Sequence, residues 1–134
     1  DGYAVRVAIL KKFPVAIITG GSSESIALRF MQIGVPREDI YLKSIFKMPD
    51  FEHFINKYKL SPDEVLYMGD DIPDIGILKA CGIAACPSDA VNEVKDVCHY
   101  ISIQGGGKGC ARDVIEQTLK VHGLWADSPE AYSG

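Results

Sequence analysis

Five short apolar runs limit what this chain can fold into. They are Pro14–Ile18, Ile40–Leu42, Val65–Met68, Ile83–Cys86 and His99–Ile103, and stretches with apolar residues at helical spacing separate them. Strands that are apolar on both faces must be covered on both faces, as in a parallel sheet packed between helices. The pattern predicts an α/β chain with a Rossmann-like parallel sheet and helices on each side. The 134 residues suit one domain, and the 47% of apolar residues suffices for its core. We assign residues 1–123 to that core and 124–134 to a polar tail whose large apolar groups are Trp125 and Tyr132.

The helices carry their own start and stop signals. Asp1 is placed to cap a helix with Val5, Ala8 and Ile9 on its apolar face. Ser22 and Ser23 open the next, with Ile26, Ala27, Phe30 and Ile33 as its stripe and Gly34 as its stop. Met48–Tyr58 predicts a third helix with Pro49 in its first turn. A short helix spans Ile75–Cys81, Asp89 caps one running through Val94, and a last one runs from Cys110 to about His122.

Composition excludes several classes. Net charge is −4 and the basic residues are scattered, so there is no basic face for nucleic acid. No apolar run is long enough to span a bilayer, and none reads as a secretory signal. The four cysteines form no C-x-x-C pair, which argues against a zinc site. Cys86 and Cys98 lie in or beside apolar segments and read as buried thiols of a cytoplasmic protein.

In parallel sheets, ligands bind at the C-terminal ends of the strands. Two polar loops fall there. Thr19-Gly20-Gly21-Ser22-Ser23 offers a hydroxyl and backbone N–H groups at a helix start, the donors a phosphate needs. Gly69-Asp70-Asp71-Ile72-Pro73-Asp74 puts three carboxylates in one short loop. Mg²⁺ takes oxygen ligands, keeps several waters, and commonly uses one or two carboxylates plus a substrate phosphate. Taken alone, the second loop is equally a solvated acidic turn, and Thr19 equally a helix cap.

Ile17-Ile18-Thr19-Gly20, then a lone Lys47, then Gly69-Asp70-Asp71 with Asp74 resemble, in that order and spacing, the haloacid dehalogenase-like phosphohydrolases. Within them, the chain is most similar to the 3-deoxy-D-manno-octulosonate 8-phosphate (KDO 8-phosphate) phosphatase subfamily. That resemblance rests on Asp1-Gly2-Tyr3, on Arg29, and on the late loop Gly106-Gly107-Lys108-Gly109-Cys110-Ala111-Arg112. It implies a cap-less fold, since the stretch between Thr19 and Lys47 is too short for a cap domain. It also implies Mg²⁺ bound by Asp70, with Asp71 and Asp74 around it. Thr19, Gly20 and Lys47 would contact the phosphate, and Arg29, Lys108 and Arg112 would lie near the substrate's anionic groups. Alternatives read from the residues remain. Arg29 can pair with Glu24 or Glu38, Asp74 can cap the helix that follows, and Gly105–Gly109 can be a flexible turn.

Two departures stand out. Gly21 occupies a position where the family often has arginine. No Asp-x-Asp occurs in the chain, although the family's nucleophile and general acid/base lie in an Asp-x-Asp-Gly at the end of a central N-terminal strand. The expectation is therefore an N-terminally truncated sequence whose nucleophile and central strand lie upstream of Asp1.

The implied activity is hydrolysis of KDO 8-phosphate in lipopolysaccharide synthesis through an aspartyl phosphate, with Thr19 and Lys47 among the catalytic groups. The implied assembly is a homotetramer in which the C-terminal tail closes a neighbour's site. Alternatives are a phosphatase for a nine-carbon keto-sugar acid phosphate, one fused to a sugar-nucleotide transferase, and an inactive scaffold of the same fold.

Overall fold

The computed structural model describes residues 2–106, 109–121 and 123. In order, the elements are α1 (Gly2–Leu10), β1 (Ile17–Ile18), α2 (Glu24–Gln32), β2 (Ile40–Tyr41), α3 (Lys47–Lys57) and β3 (Leu66–Met68). There follow α4 (Ile75–Ala80), β4 (Ile83–Cys86), α5 (Asn92–Lys95), β5 (Tyr100–Ile101) and α6 (Cys110–Val121). Every strand pair is parallel, as the apolar runs predict. Asp1, Gly107, Lys108 and the tail with Trp125 and Tyr132 lie outside the described residues.

The chain divides into two compact units, residues 1–43 with 111–134 and residues 44–110. In the first, β1 pairs with β2, Ile17 opposite Ile40 and Ile18 opposite Tyr41. Val5, Ala27, Val35 and Ile40 form its buried core, with Ile9, Ile17, Phe30 and Ile115 packed on it. α2 starts where Ser23 accepts the N–H of Ser25, at 3.2 Å. It ends before Gly34, whose φ of +109° is left-handed backbone that glycine adopts without a Cβ penalty.

In the second unit the strand order is β3-β4-β5. β4 is central, and Ala84, Ala85 and Cys86 are fully buried, because only small residues fit where both faces are covered. Their core partners are Leu78, Cys81, Ala90 and Val94. His99 ties the end of the layer down: its N–H donates to Ala84 O at 2.8 Å, and its Nδ1 accepts the Ala84 N–H at 2.9 Å. α3 begins at Lys47, one residue before the predicted start, and buries Phe51, Phe54 and Ile55 as its stripe.

Asp89 does not cap a helix. α5 starts later, after Val91, and the Asp89 carboxylate accepts the Gly106 N–H at 2.8 Å. A turn closed by Ala90 N–H to Pro87 O, at 3.2 Å, carries Asp89 away from the helix start. The first half of the glycine loop is thereby clamped to the segment after β4.

Gly82 marks the tightest turn. Its N–H is shared by Pro62 O and Val65 O, both at 3.0 Å, and a Cβ there would overlap the Asp63 carbonyl oxygen. Because that obstacle is backbone, Gly82→Ala is expected to destabilise by roughly 1–3 kcal/mol, the usual overpacking range. A lowered urea midpoint at unchanged m-value checks it.

Candidate functional site

Within the first unit, Thr19 directly follows β1. Its N–H extends the ladder to Tyr41 O at 3.0 Å, and its Oγ1 accepts the Gly21 N–H at 3.1 Å. The Gly21 carbonyl in turn accepts the Lys43 N–H at 2.8 Å. Thr19 is therefore a turn-former, and Ser23 is the helix cap. The Thr19 hydroxyl proton stays available as a donor. Nothing lies within 4 Å of where a Gly20 Cβ would stand, so an anion can approach that backbone. A Cβ on Gly21 would press on Ile26 Cδ1 at 3.0 Å, a local reason for glycine there.

Arg29 is exposed, with its guanidinium over the Phe30 ring at 5.2 Å. Neither predicted pairing for Arg29 is among the described ion pairs; Glu24 instead meets Arg37, at 3.3 Å. Arg112 lies over the Tyr3 ring at 5.7 Å and 3.6 Å from Glu116. Lys108 is outside the described residues.

The second unit brings Lys47, Asp70, Asp71 and Asp74 together around one buried carboxylate. Asp74 is only 2% exposed. Its Oδ1 accepts from Tyr67 Oη at 2.7 Å and from Lys47 Nζ at 2.9 Å. Its Oδ2 accepts the backbone N–H groups of Asp70 and Asp71, at 3.1 and 3.3 Å. Four donors fill the sites a carboxylate offers. Gly69 permits this closeness, since a Cβ there would overlap Asp74 Cβ. Asp74 does not cap α4; it closes a reciprocal box with Asp71 around the 3₁₀ turn Ile72–Asp74.

Lys47 is the first residue of α3, where an ammonium opposes the positive end of the helix dipole. Asp74 overcomes that, and the Lys47 side chain is only 17% exposed rather than solvated. Burial pushes the Asp74 carboxyl up. The hydrogen bonds from Tyr67 and Lys47, the Lys47 charge and the Asp70 N–H outweigh burial and hold it below its ordinary 3.8. Burial, then the hydrogen bond to Asp74 and its charge, push the Tyr67 phenol far up, so it remains a donor.

A hard cation needs oxygens not already engaged. Asp71 Oδ1 accepts the Ile72 N–H at 2.8 Å, and Asp74 is fully occupied. The Asp70 carboxylate is exposed and accepts no hydrogen bond among the described residues, while its backbone is fixed by Asp74 and by Val91 N–H at 3.3 Å. The described residues contain no group of three acidic, histidine or cysteine ligands. One oriented carboxylate fits a cation that keeps waters and takes substrate oxygens. It does not fit a closed protein cage. Cys98, pushed up to about 12 by burial and then by Cys86, stays a protonated thiol.

Tyr67 was not singled out by motif, yet it carries the cluster. The signal was its place in a short apolar strand, where a phenol must find a partner.

A family model for haloacid dehalogenase-like hydrolase matches residues 21–111. The 3-deoxy-D-manno-octulosonate 8-phosphate phosphatase of Escherichia coli K12 is 28% identical over 123 residues, covering 92% of this chain. The chain spans 64% of that relative's length. The crystal structure of the Yersinia pestis enzyme of that name superposes with a TM-score of 0.88 at 26% identity, over 92% of this chain and 65% of that one. The Moraxella catarrhalis phosphatase, solved with magnesium, phosphate and KDO, gives 0.84 at 26%, over 89% and 67%.

Asp74 stabilises the fold fully above its unfolded pKa, and that contribution fades as pH falls through its lower folded value. Asp74→Asn is expected to cost roughly 3–5 kcal/mol at pH 7, as for breaking a buried pair. The gap between variant and parent should narrow below pH 3.8, the ordinary carboxyl value. Urea titrations at pH 7 and pH 3 measure both.

Proposed function

The chain belongs to the haloacid dehalogenase-like hydrolase family, and from that premise we propose that it is the metal-binding part of a Mg²⁺-dependent sugar-phosphate phosphatase. The favoured substrate is KDO 8-phosphate, cleaved to KDO and phosphate in lipopolysaccharide synthesis in the cytoplasm. One observation carries the reading. At the C-terminal end of β3, Asp74 fixes the Lys47 ammonium and the backbone of Asp70, whose exposed carboxylate accepts no hydrogen bond among the described residues. The named substrate of relatives at 26–28% identity supports the choice of sugar acid.

Each residue has a physical task. Asp70 would hold Mg²⁺ through its carboxylate. When bound, the ion supplies positive charge to the transferring phosphoryl group. Lys47 Nζ, with one donor on Asp74, keeps two N–H bonds for a phosphate oxygen and offsets its charge. The Thr19 hydroxyl and the Gly20 N–H are donors for phosphate oxygens, and Arg29, Lys108 and Arg112 are cations for the sugar's carboxylate. Asp74 holds the Asp70 backbone, and Asp71 closes the turn that places Asp74. The family assigns nucleophile and general acid/base to an Asp-x-Asp pair, which these 134 residues do not contain. Among the described residues no helix is long and apolar enough to cross a membrane. A homotetramer, with residues 124–134 beside the neighbouring site, is the assembly we expect, and its mass in solution tests it.

Phosphate release from the protein as the cell makes it decides the activity. KDO 8-phosphate should be preferred over aldose phosphates and over a nine-carbon keto-acid 9-phosphate, and chelator should abolish turnover. Asp70→Asn should abolish turnover at ordinary Mg²⁺ concentrations. Lys47→Ala should lower kcat by on the order of 10²-fold, the loss typical of one preorganised electrostatic contact. Turnover untouched by chelator or by Asp70→Asn contradicts the metal assignment.

A further inference from the structure

The Lys47–Asp74 pair is anchored by a group that the functional reading does not use. Tyr67 lies in the middle of β3, with its backbone in register with Ala84 of the central strand. The Phe51 ring meets the Tyr67 ring edge-on, centroids 6.3 Å apart at 85°. Strand pairing and the Phe51 contact leave the phenol little freedom. Its hydroxyl donates to the same Asp74 oxygen, Oδ1, that accepts from Lys47.

The other three donors to Asp74 are less constrained. Two are backbone N–H groups of the loop that Asp74 itself organises. The third is the end of a flexible lysine side chain. Without the phenol, Oδ1 keeps only the lysine as a donor, and the carboxylate is held by that flexible side chain and by the loop N–H groups on Oδ2. Among the described residues, the Tyr67 hydroxyl is the one β3 side-chain group that bonds the carboxylate shared by Lys47 and the Asp70 N–H.

Resting on the phosphatase reading above, we infer that Tyr67 is a positioning residue. Its hydroxyl fixes the Asp74 carboxylate and so holds the Lys47 ammonium and the Asp70 backbone in the geometry used for phosphoryl transfer. Tyr67 acts through Asp74, the acceptor of its hydroxyl.

Tyr67→Phe removes the hydroxyl and keeps the ring packed on Phe51. In the protein as the cell makes it, kcat should fall roughly 10–100-fold, the range for partners behind a reacting group. KM should stay within about twofold, because the lost contact serves the transition state. In a Lys47→Ala background the same change should cost several-fold less than in the parent, leaving only the part carried by Asp70, since residues acting as a unit are not additive. A second readout does not depend on turnover. The Lys47 ammonium, held on Asp74, should give a slowly exchanging ¹H–¹⁵N side-chain signal that Tyr67→Phe abolishes. Unchanged kcat, additive losses, or a Lys47 signal that survives Tyr67→Phe overturns the inference. Absence of turnover in the unaltered protein removes the phosphatase reading instead and leaves the Lys47 signal to decide the positioning claim.

Discussion

A carboxylate buried to 2% exposure has to be neutralised where it stands. An unpaired charge in that setting is far costlier than the roughly 5–15 kcal/mol by which a domain is stable. Asp74 meets the requirement with one ammonium, one phenol and two backbone N–H groups. The four donors come from three parts of the second unit: the start of α3, the middle of β3, and, for both N–H groups, the loop after β3. The ion pair is thus also a joint. It fixes where α3 begins, how the loop leaves the strand, and which way Asp70 faces. Its local conditions are visible in the sequence as well, since Gly69 must lack a Cβ to let Asp74 approach.

That joint divides the labour among three aspartates of one loop. Asp74 is inward and saturated, Asp71 caps its own turn, and Asp70 alone is outward and unengaged among the described residues. A cluster of like charges usually repels. Here Lys47 pairs with Asp74 and the Ile72 N–H engages Asp71, which leaves the Asp70 carboxylate as the one without a hydrogen bond among the described residues. The first unit treats its strand end differently. Thr19 and Gly21 close a turn with backbone bonds, leaving a hydroxyl proton and an open glycine N–H as the groups facing outward. One strand end offers donors and the other an acceptor, as a phosphate and a metal respectively require.

Much of this was legible beforehand because the signals were local. β4 runs from Ile83 to Cys86 as its uninterrupted apolar run predicts, and α2 is bounded by Ser23 and Gly34. β1 is shorter than its apolar run because pairing with β2 begins only at Ile17. The misses involve partners distant in sequence. Asp89 looks like a cap, yet its carboxylate serves Gly106 across the loop. Asp74 reads as a neighbour of the metal ligand or a cap for α4, and spacing alone could not show Tyr67 and Lys47 converging on it. Lys47 reads as a phosphate contact, and its burial comes from a long-range partner, Asp74, that spacing does not reveal. The hydrogen-bond assignments needed coordinates.

A crystal structure of the protein as the cell makes it, grown with Mg²⁺ and phosphate, tests the central claim most directly. The account predicts Mg²⁺ on the Asp70 carboxylate, a phosphate oxygen within hydrogen-bond reach of Lys47 Nζ, and Asp74 still holding Lys47 and Tyr67. An ion bound through Asp71 or Asp74 instead, or Lys47 turned away from the phosphate, would contradict it.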